Sequence, residues 1–234
     1  MLTSRDIPSN VRRQLRQEAN FGCAICGCPI IEIHHIIPWH VKPQNDPQDM
    51  IVLCPTHHAR ADAGEYSEEY LRHVKKAPHN SILVKDAFVV NSSELIVNFA
   101  GNVFVNTPTI LEVDGFEIIS ISKQGPYPTL NVNFFDSLNR WIAIINENFW
   151  YADRTLLWDV EYKPKHLIVR CKPRQISLEV EIKKDEVFIR GEFYYNRYKI
   201  LATSDSLFLG EKKMVTMKGC RIESCRVGVS IHTF

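Results

Sequence analysis

Two half-sites of identical spacing constrain this chain more than anything else in it: Cys23-x2-Cys26 and Cys54-x2-His57. Ligands two residues apart aim their donors at one point, and two such pairs supply the four donors of a tetrahedral zinc ion. A Cys3His set of this kind would clip together a segment too small to rely on its own core. The competing explanation, three buried thiols and a surface histidine, gives no reason for the matched spacing. Cys28 is a spare sulfur nearby, but its C-x-C relation to Cys26 makes it a poorer ligand. The chain has seven cysteines, and Cys171, Cys220 and Cys225 are scattered through strand-like sequence, so the pattern is no disulfide framework. In a reducing compartment such close spacing reads as metal binding, and the cytoplasm is the default location expected where neither a membrane-length run nor a secretory core is seen. No apolar run reaches membrane-spanning length, and residues 1–6 lack a secretory apolar core.

Histidine usage divides the 234-residue chain: seven of the nine histidines lie before Asn80. The same point separates two kinds of periodicity. Before it, Val11, Leu15 and Ala19 predict a helix over 9–20 with Ser9 as its cap. A knuckle at Cys23–Cys26, a β-branched strand over 30–37, a proline-bearing loop and a short strand over 50–53 follow. Pro55 suits the first turn of a helix running to Ala63, and another helix runs from Ser67 to Lys76 before Pro78. After Ser81 the period becomes two, as in Leu130-Asn131-Val132-Asn133-Phe134 and over 176–182 and 187–190. Asp114-Gly115 between apolar runs marks a two-residue hairpin. The expected fold class is α+β: a small zinc-stapled domain over 1–79 and an all-β, sandwich-like domain over 80–234. A β-solenoid is the alternative, because 219–222 and 225–229 echo each other weakly.

Two histidine pairs are interleaved with the zinc half-sites: His34-His35 and His57-His58. On a helix starting at Pro55, His57 and His58 point about 100° apart, so one short helix can serve two centres. In a regular strand His34 and His35 would face opposite sides, and they approach one centre only where the strand ends or bulges; Pro38 allows that. The stretch from Val11 to Pro78 resembles the HNH, or ββα-metal, endonuclease family, in which a hairpin and a helix grip one divalent ion. On that resemblance His34 and His58 are ligands of the catalytic ion and His35 is the general base. Asp49, five residues before Cys54, occupies the position of the family's central Asn.

The resemblance implies hydrolysis of phosphodiester bonds in DNA, leaving a 5′-phosphate and a 3′-hydroxyl, in a setting of restriction or defence against foreign DNA. It also implies Mg²⁺ or Mn²⁺ at the catalytic centre beside structural Zn²⁺, although imidazole ligands suit Ni²⁺, Co²⁺ or Zn²⁺ too. Histidine chemistry fits, since an imidazole with pKa near about 6.5 can take a proton from water at neutral pH. Asp49 departs from the pattern, because an ionised carboxylate only accepts hydrogen bonds. It could accept from His35, bind metal or brace the loop, with Asn45 compensating.

Arg12, Arg13, Arg16 and His40 are candidate contacts to nucleic acid, although a formal charge of +1 gives no global attraction to it. The basic run from Lys163 to Arg174 could meet phosphates or merely protect a strand edge. Trp141, Trp150, Tyr151 and Trp158 read as core and interface aromatics. Cleavage of both strands would favour a two-fold homodimer. A reading from another class is a non-catalytic zinc module that binds DNA or regulates; it needs the four zinc ligands and has no use for His34, His35 and His58.

Overall fold

Helix α1 (Ser9–Glu18) lays Leu15 against Met50 and Val52, with Ala19 just beyond its end, in a small buried cluster. Pro8 rather than Ser9 occupies the cap position, and no side chain caps the helix, so the expected Ser9 cap is displaced by one residue. The computed structural model describes residues 5–90, 92–123, 125–211 and 215–233; residues 1–4, part of the segment read for a secretory core, lie outside them.

Strands β1 (Glu32–His35) and β2 (Met50–Leu53) form an antiparallel hairpin with His34 opposite Ile51 and His35 opposite Met50. The strand expected over 30–37 is shorter, because after Ile36 bonds to the Asp49 carbonyl the chain bends away toward Pro38. Helix α2 (Pro55–Asp62) starts on its proline, as the fixed φ of that residue favours. Helix α3 (Glu68–Lys76) is capped by Ser67, whose hydroxyl accepts from the Tyr70 N–H at 3.1 Å. A second small core lies between the hairpin and these helices, built from Ile36, Ile51, Leu53, Ala61 and Leu71.

Most of the described residues after Ser81 lie in strands. In order these are β3 (Leu83–Ala87), β4 (Ile96–Phe99), β5 (Asn102–Val105), β6 (Thr109–Val113), β7 (Phe116–Lys123) and β8 (Pro128–Phe135). Next come β9 (Trp141–Asn146), β10 (Phe149–Asp153), β11 (Asp159–Lys163), β12 (His166–Arg170), β13 (Leu178–Lys183) and β14 (Glu186–Tyr195). The last are β15 (Tyr198–Ala202), β16 (Leu207–Leu209), β17 (Val215–Met217), β18 (Arg221–Glu223) and β19 (Val227–Ile231). Asp114 and Gly115 join β6 to β7 with φ of 51° and 77°, the two positive angles of the expected hairpin turn.

Hydrogen bonds link these strands into one continuous network around the largest apolar core. One arm runs β3, β10, β9, β8, β7, β6, β19, and another runs β11, β12, β13, β14 and on through β4 and β5 to β18. Strand β14 joins them by touching β8 at Tyr194 and Phe135. Gly191 lets β14 change partners from β13 to β15, since a Cβ there would stand 2.1 Å from the Ser177 carbonyl oxygen. The two weakly echoing segments become β18 and β19, each added in parallel to β5 and β6. Most other ladders are antiparallel, so a solenoid does not describe the whole.

Helix α1 also meets the β-rich part. Arg16 donates twice to the Asp159 carboxylate, at 2.9 and 2.7 Å, and Arg13 lies over the Trp158 ring at 4.5 Å. Gln17 donates to the Trp158 carbonyl at 2.6 Å, and Phe21 is buried in the large β core.

Candidate functional site

The half-sites meet as their spacing predicts. Cys23, Cys26, Cys54 and His57 bring one donor each to within 4.8 Å of the others. Sulfurs about 2.3 Å from a tetrahedral ion lie roughly 3.8 Å apart, and a sulfur and a ring nitrogen roughly 3.5 Å apart. The Cys26 and Cys54 sulfurs are separated by 3.8 Å. His57 Nδ1 lies 3.4 Å from the Cys23 sulfur and 3.3 Å from that of Cys54. These four residues could hold a metal such as zinc. Burial pushes the Cys23 thiol up to about 12, so its thiolate needs a cation to form at neutral pH. Cys28 stays aside, its thiol directed to the Ile30 carbonyl at 3.8 Å.

The second cluster is built on the next residue of α2, His58. Alternation along β1 sends Ile33 toward α1 and His34 toward α2, where it meets His58 with ring centroids 5.1 Å apart. Asp62, one turn after His58, completes the group: its carboxylate lies 3.3 Å from His34 Nδ1 and 3.0 Å from His58 Nδ1. Three ligand atoms thus fall within 4.8 Å of one another. Burial, followed by the neighbouring His58, holds the His34 ring below the ordinary imidazole range, leaving it neutral with a lone pair to give. Asp62 was not among the residues singled out from sequence, although its i, i+4 relation to His58 is the signal that finds it.

His34, His58 and Asp62 open onto a cleft of about 670 Å³ that His35, Trp39, His40 and Tyr66 also line. His35 ends β1, and its ring meets Trp39 edge-on at 5.4 Å. Its Nε2 lies 3.3 Å from Asn45 Oδ1. Because β1 ends at His35, both histidines of the pair reach one cleft.

Asp49 is placed differently from the expectation that it partners His35. It is 9% exposed and accepts from Lys42 Nζ at 2.5 Å and Arg72 Nη2 at 2.8 Å. The Lys42 hydrogen bond, then that of Arg72, holds its carboxyl below the usual range. Two cations within reach favour bracing the loop, the third of the roles the sequence left open. Arg16 and Arg13 also differ from the expectation of nucleic-acid contacts, because Asp159 and Trp158 already engage them. Arg12 donates to the Ile7 carbonyl at 3.0 Å on the exposed side, and His40 is exposed at the cleft.

Residues 23–67 match the family model described as HNH endonuclease. The match takes in the knuckle, the hairpin and α2, and it supports a nuclease or DNA-related function for this N-terminal part of the chain. No curated protein and no solved structure matches the chain. No helix among the described residues is long and apolar enough to cross a membrane.

Proposed function

We propose that residues 1–79 form a zinc-stapled HNH domain of the ββα-metal type that hydrolyses phosphodiester bonds in DNA. Residues 80–234 would be an accessory β-domain for recognition, dimerisation or sensing. The observation that carries this reading is the convergence of His34, His58 and Asp62 on one point in a cleft that also holds His35. A zinc knuckle by itself has no use for that second donor set.

His34, His58 and Asp62 would hold the catalytic divalent ion, and the donor chemistry fits. Two imidazoles suit Zn²⁺, Ni²⁺ or Co²⁺, while the carboxylate and open positions extend the range toward Mn²⁺ and Mg²⁺. When bound, such an ion supplies Lewis-acid stabilisation of the charge that builds on the phosphate and the leaving oxygen. His35 takes the proton of the attacking water, as a neutral imidazole can near neutral pH. Asp49 holds the loop between the hairpin strands in place through Lys42 and Arg72. Cys23, Cys26, Cys54 and His57 would hold the structural Zn²⁺, which would fix the start of α2 and with it the position of His58. Reduced thiols accord with a cytoplasmic protein, restriction or defence is the setting that family analogy offers, and a homodimer would let two such sites cut both strands.

A plasmid-nicking assay with Mn²⁺ or Mg²⁺ tests the reading. Wild-type protein should cut, and His35→Ala should bind DNA and retain zinc while cutting at least about 100-fold more slowly. Equal cutting by both proteins removes the catalytic role of His35. Binding by both without cutting by either favours the non-catalytic zinc module.

A further inference from the structure

We infer that Asn45 is the positioning residue of His35, fixing its ring as the Nε2–H tautomer so that Nδ1 carries the lone pair that accepts the proton of water. The inference rests on the proposed role of His35 as base and adds to it which ring nitrogen acts and what holds it.

The orientation of one amide decides the tautomer. Asn45 Nδ2 donates to the backbone carbonyl of Asp6 at 3.1 Å, and a carbonyl oxygen can only accept. The amide is thereby oriented, and the atom it presents to His35 Nε2 at 3.3 Å is Oδ1, also an acceptor only. The hydrogen between them must come from the imidazole, which makes Nε2 the protonated nitrogen of the neutral ring. Nδ1 is left as the single ring nitrogen able to accept a proton. Trp39 meets the same ring edge-on, so the imidazole is held by a hydrogen bond and by packing.

Asp49, at the place of the resembling family's central Asn, is engaged by Lys42 and Arg72. The amide has in effect moved four positions earlier in the chain, from 49 to 45. Its anchor is the segment just ahead of α1, where Arg5 and Ile7 also form part of the cleft wall. That segment is held in turn by Arg12, which donates to the Ile7 carbonyl at 3.0 Å.

The test combines kinetics with spectroscopy on the zinc-loaded full-length chain. Asn45→Leu should lower kcat by about 10–100-fold and leave KM within about twofold, as loss of an orienting partner does. Combined with His35→Ala it should add nothing, because the amide acts only through that ring. An effect of Asn45→Leu that persists in the His35→Ala background overturns the inference. Nitrogen-15 imidazole spectra of the wild type, with His35 identified by its absence from His35→Ala, should show a protonated Nε2 and an unprotonated Nδ1. A protonated Nδ1, or an even mixture of tautomers, overturns it as well, and this measurement stands even if Asn45→Leu does not fold. If His35→Ala cuts like wild type, the base assignment itself fails; if that variant is inactive while Asn45→Leu cuts normally, only the role of Asn45 fails.

Discussion

A carboxylate at position 49 is tolerated because two cations converge on it: Lys42 from the loop and Arg72 from α3. This tie crosses from one element to another, so restoring the resembling family's Asn should not help. Asp49→Asn is expected to cost about 0.5–2 kcal/mol and to leave cleavage within a few-fold of wild type, measured by melting and by nicking. The cations hold the Asp49 carboxyl below its ordinary value, so its contribution is present above about pH 4 and is lost as pH falls through the lowered value. The gap in Tm between wild type and Asp49→Asn should accordingly narrow on acidification below about pH 4. Asp62 carries the opposite expectation: Asp62→Ala should weaken Mn²⁺ binding by about 10–100-fold in calorimetric titration with zinc content unchanged. That His34 and His58 belong together was legible from the family resemblance, and their rings meet with centroids 5.1 Å apart. Asp62 was written at the same helical interval and needed only the next turn of α2 to be read. The partners of Asp49, Arg13 and Arg16 were not legible, since Arg72, Trp158 and Asp159 are remote in sequence and nothing local announces them.

Among the elements, those with local causes were readable and those with distant partners were not. Pro55 and Ser67 mark helix starts through φ and a side-chain cap, and α2 and α3 begin where those residues direct. Period-two alternation located β8, β13 and β14 because it follows from the pleat itself. The change of partner at Gly191 depends on how closely Ser177 approaches, which the pattern within either strand does not encode. The knuckle lies between these extremes, as its spacing announces four ligands before any packing is known. Gly27 shapes it with φ of +76° and the side chain of Asn80 where a Cβ would be. Cys54→Ser should release one tightly held zinc by elemental analysis and lower Tm by several degrees, because the ligand sits at the junction of β2 and α2. Retention of the zinc would move the ligand set elsewhere.

At the scale of the whole molecule, α1 belongs to two structures at once. Leu15 and Ala19 pack on the hairpin, while Arg16, Arg13 and Gln17 grip the β11 end of the strand network. Asp159 is 2% exposed and also lies 3.7 Å from Arg170, so removing Arg16 leaves a buried charge with its best partner gone. Arg16→Ala should therefore destabilise by about 3–5 kcal/mol, and the melting curve should separate into two transitions as the halves lose their common helix. Unchanged single-transition melting would show that the ion pair does not couple them. The proposed division at residue 79, read from histidine usage and the change of periodicity, thus separates two parts that Phe21 and α1 tie together. Anyone trimming the gene to its first third would strip Phe21 and Arg16 of their cover, and the shortened product would be prone to clump before its chemistry could be assayed.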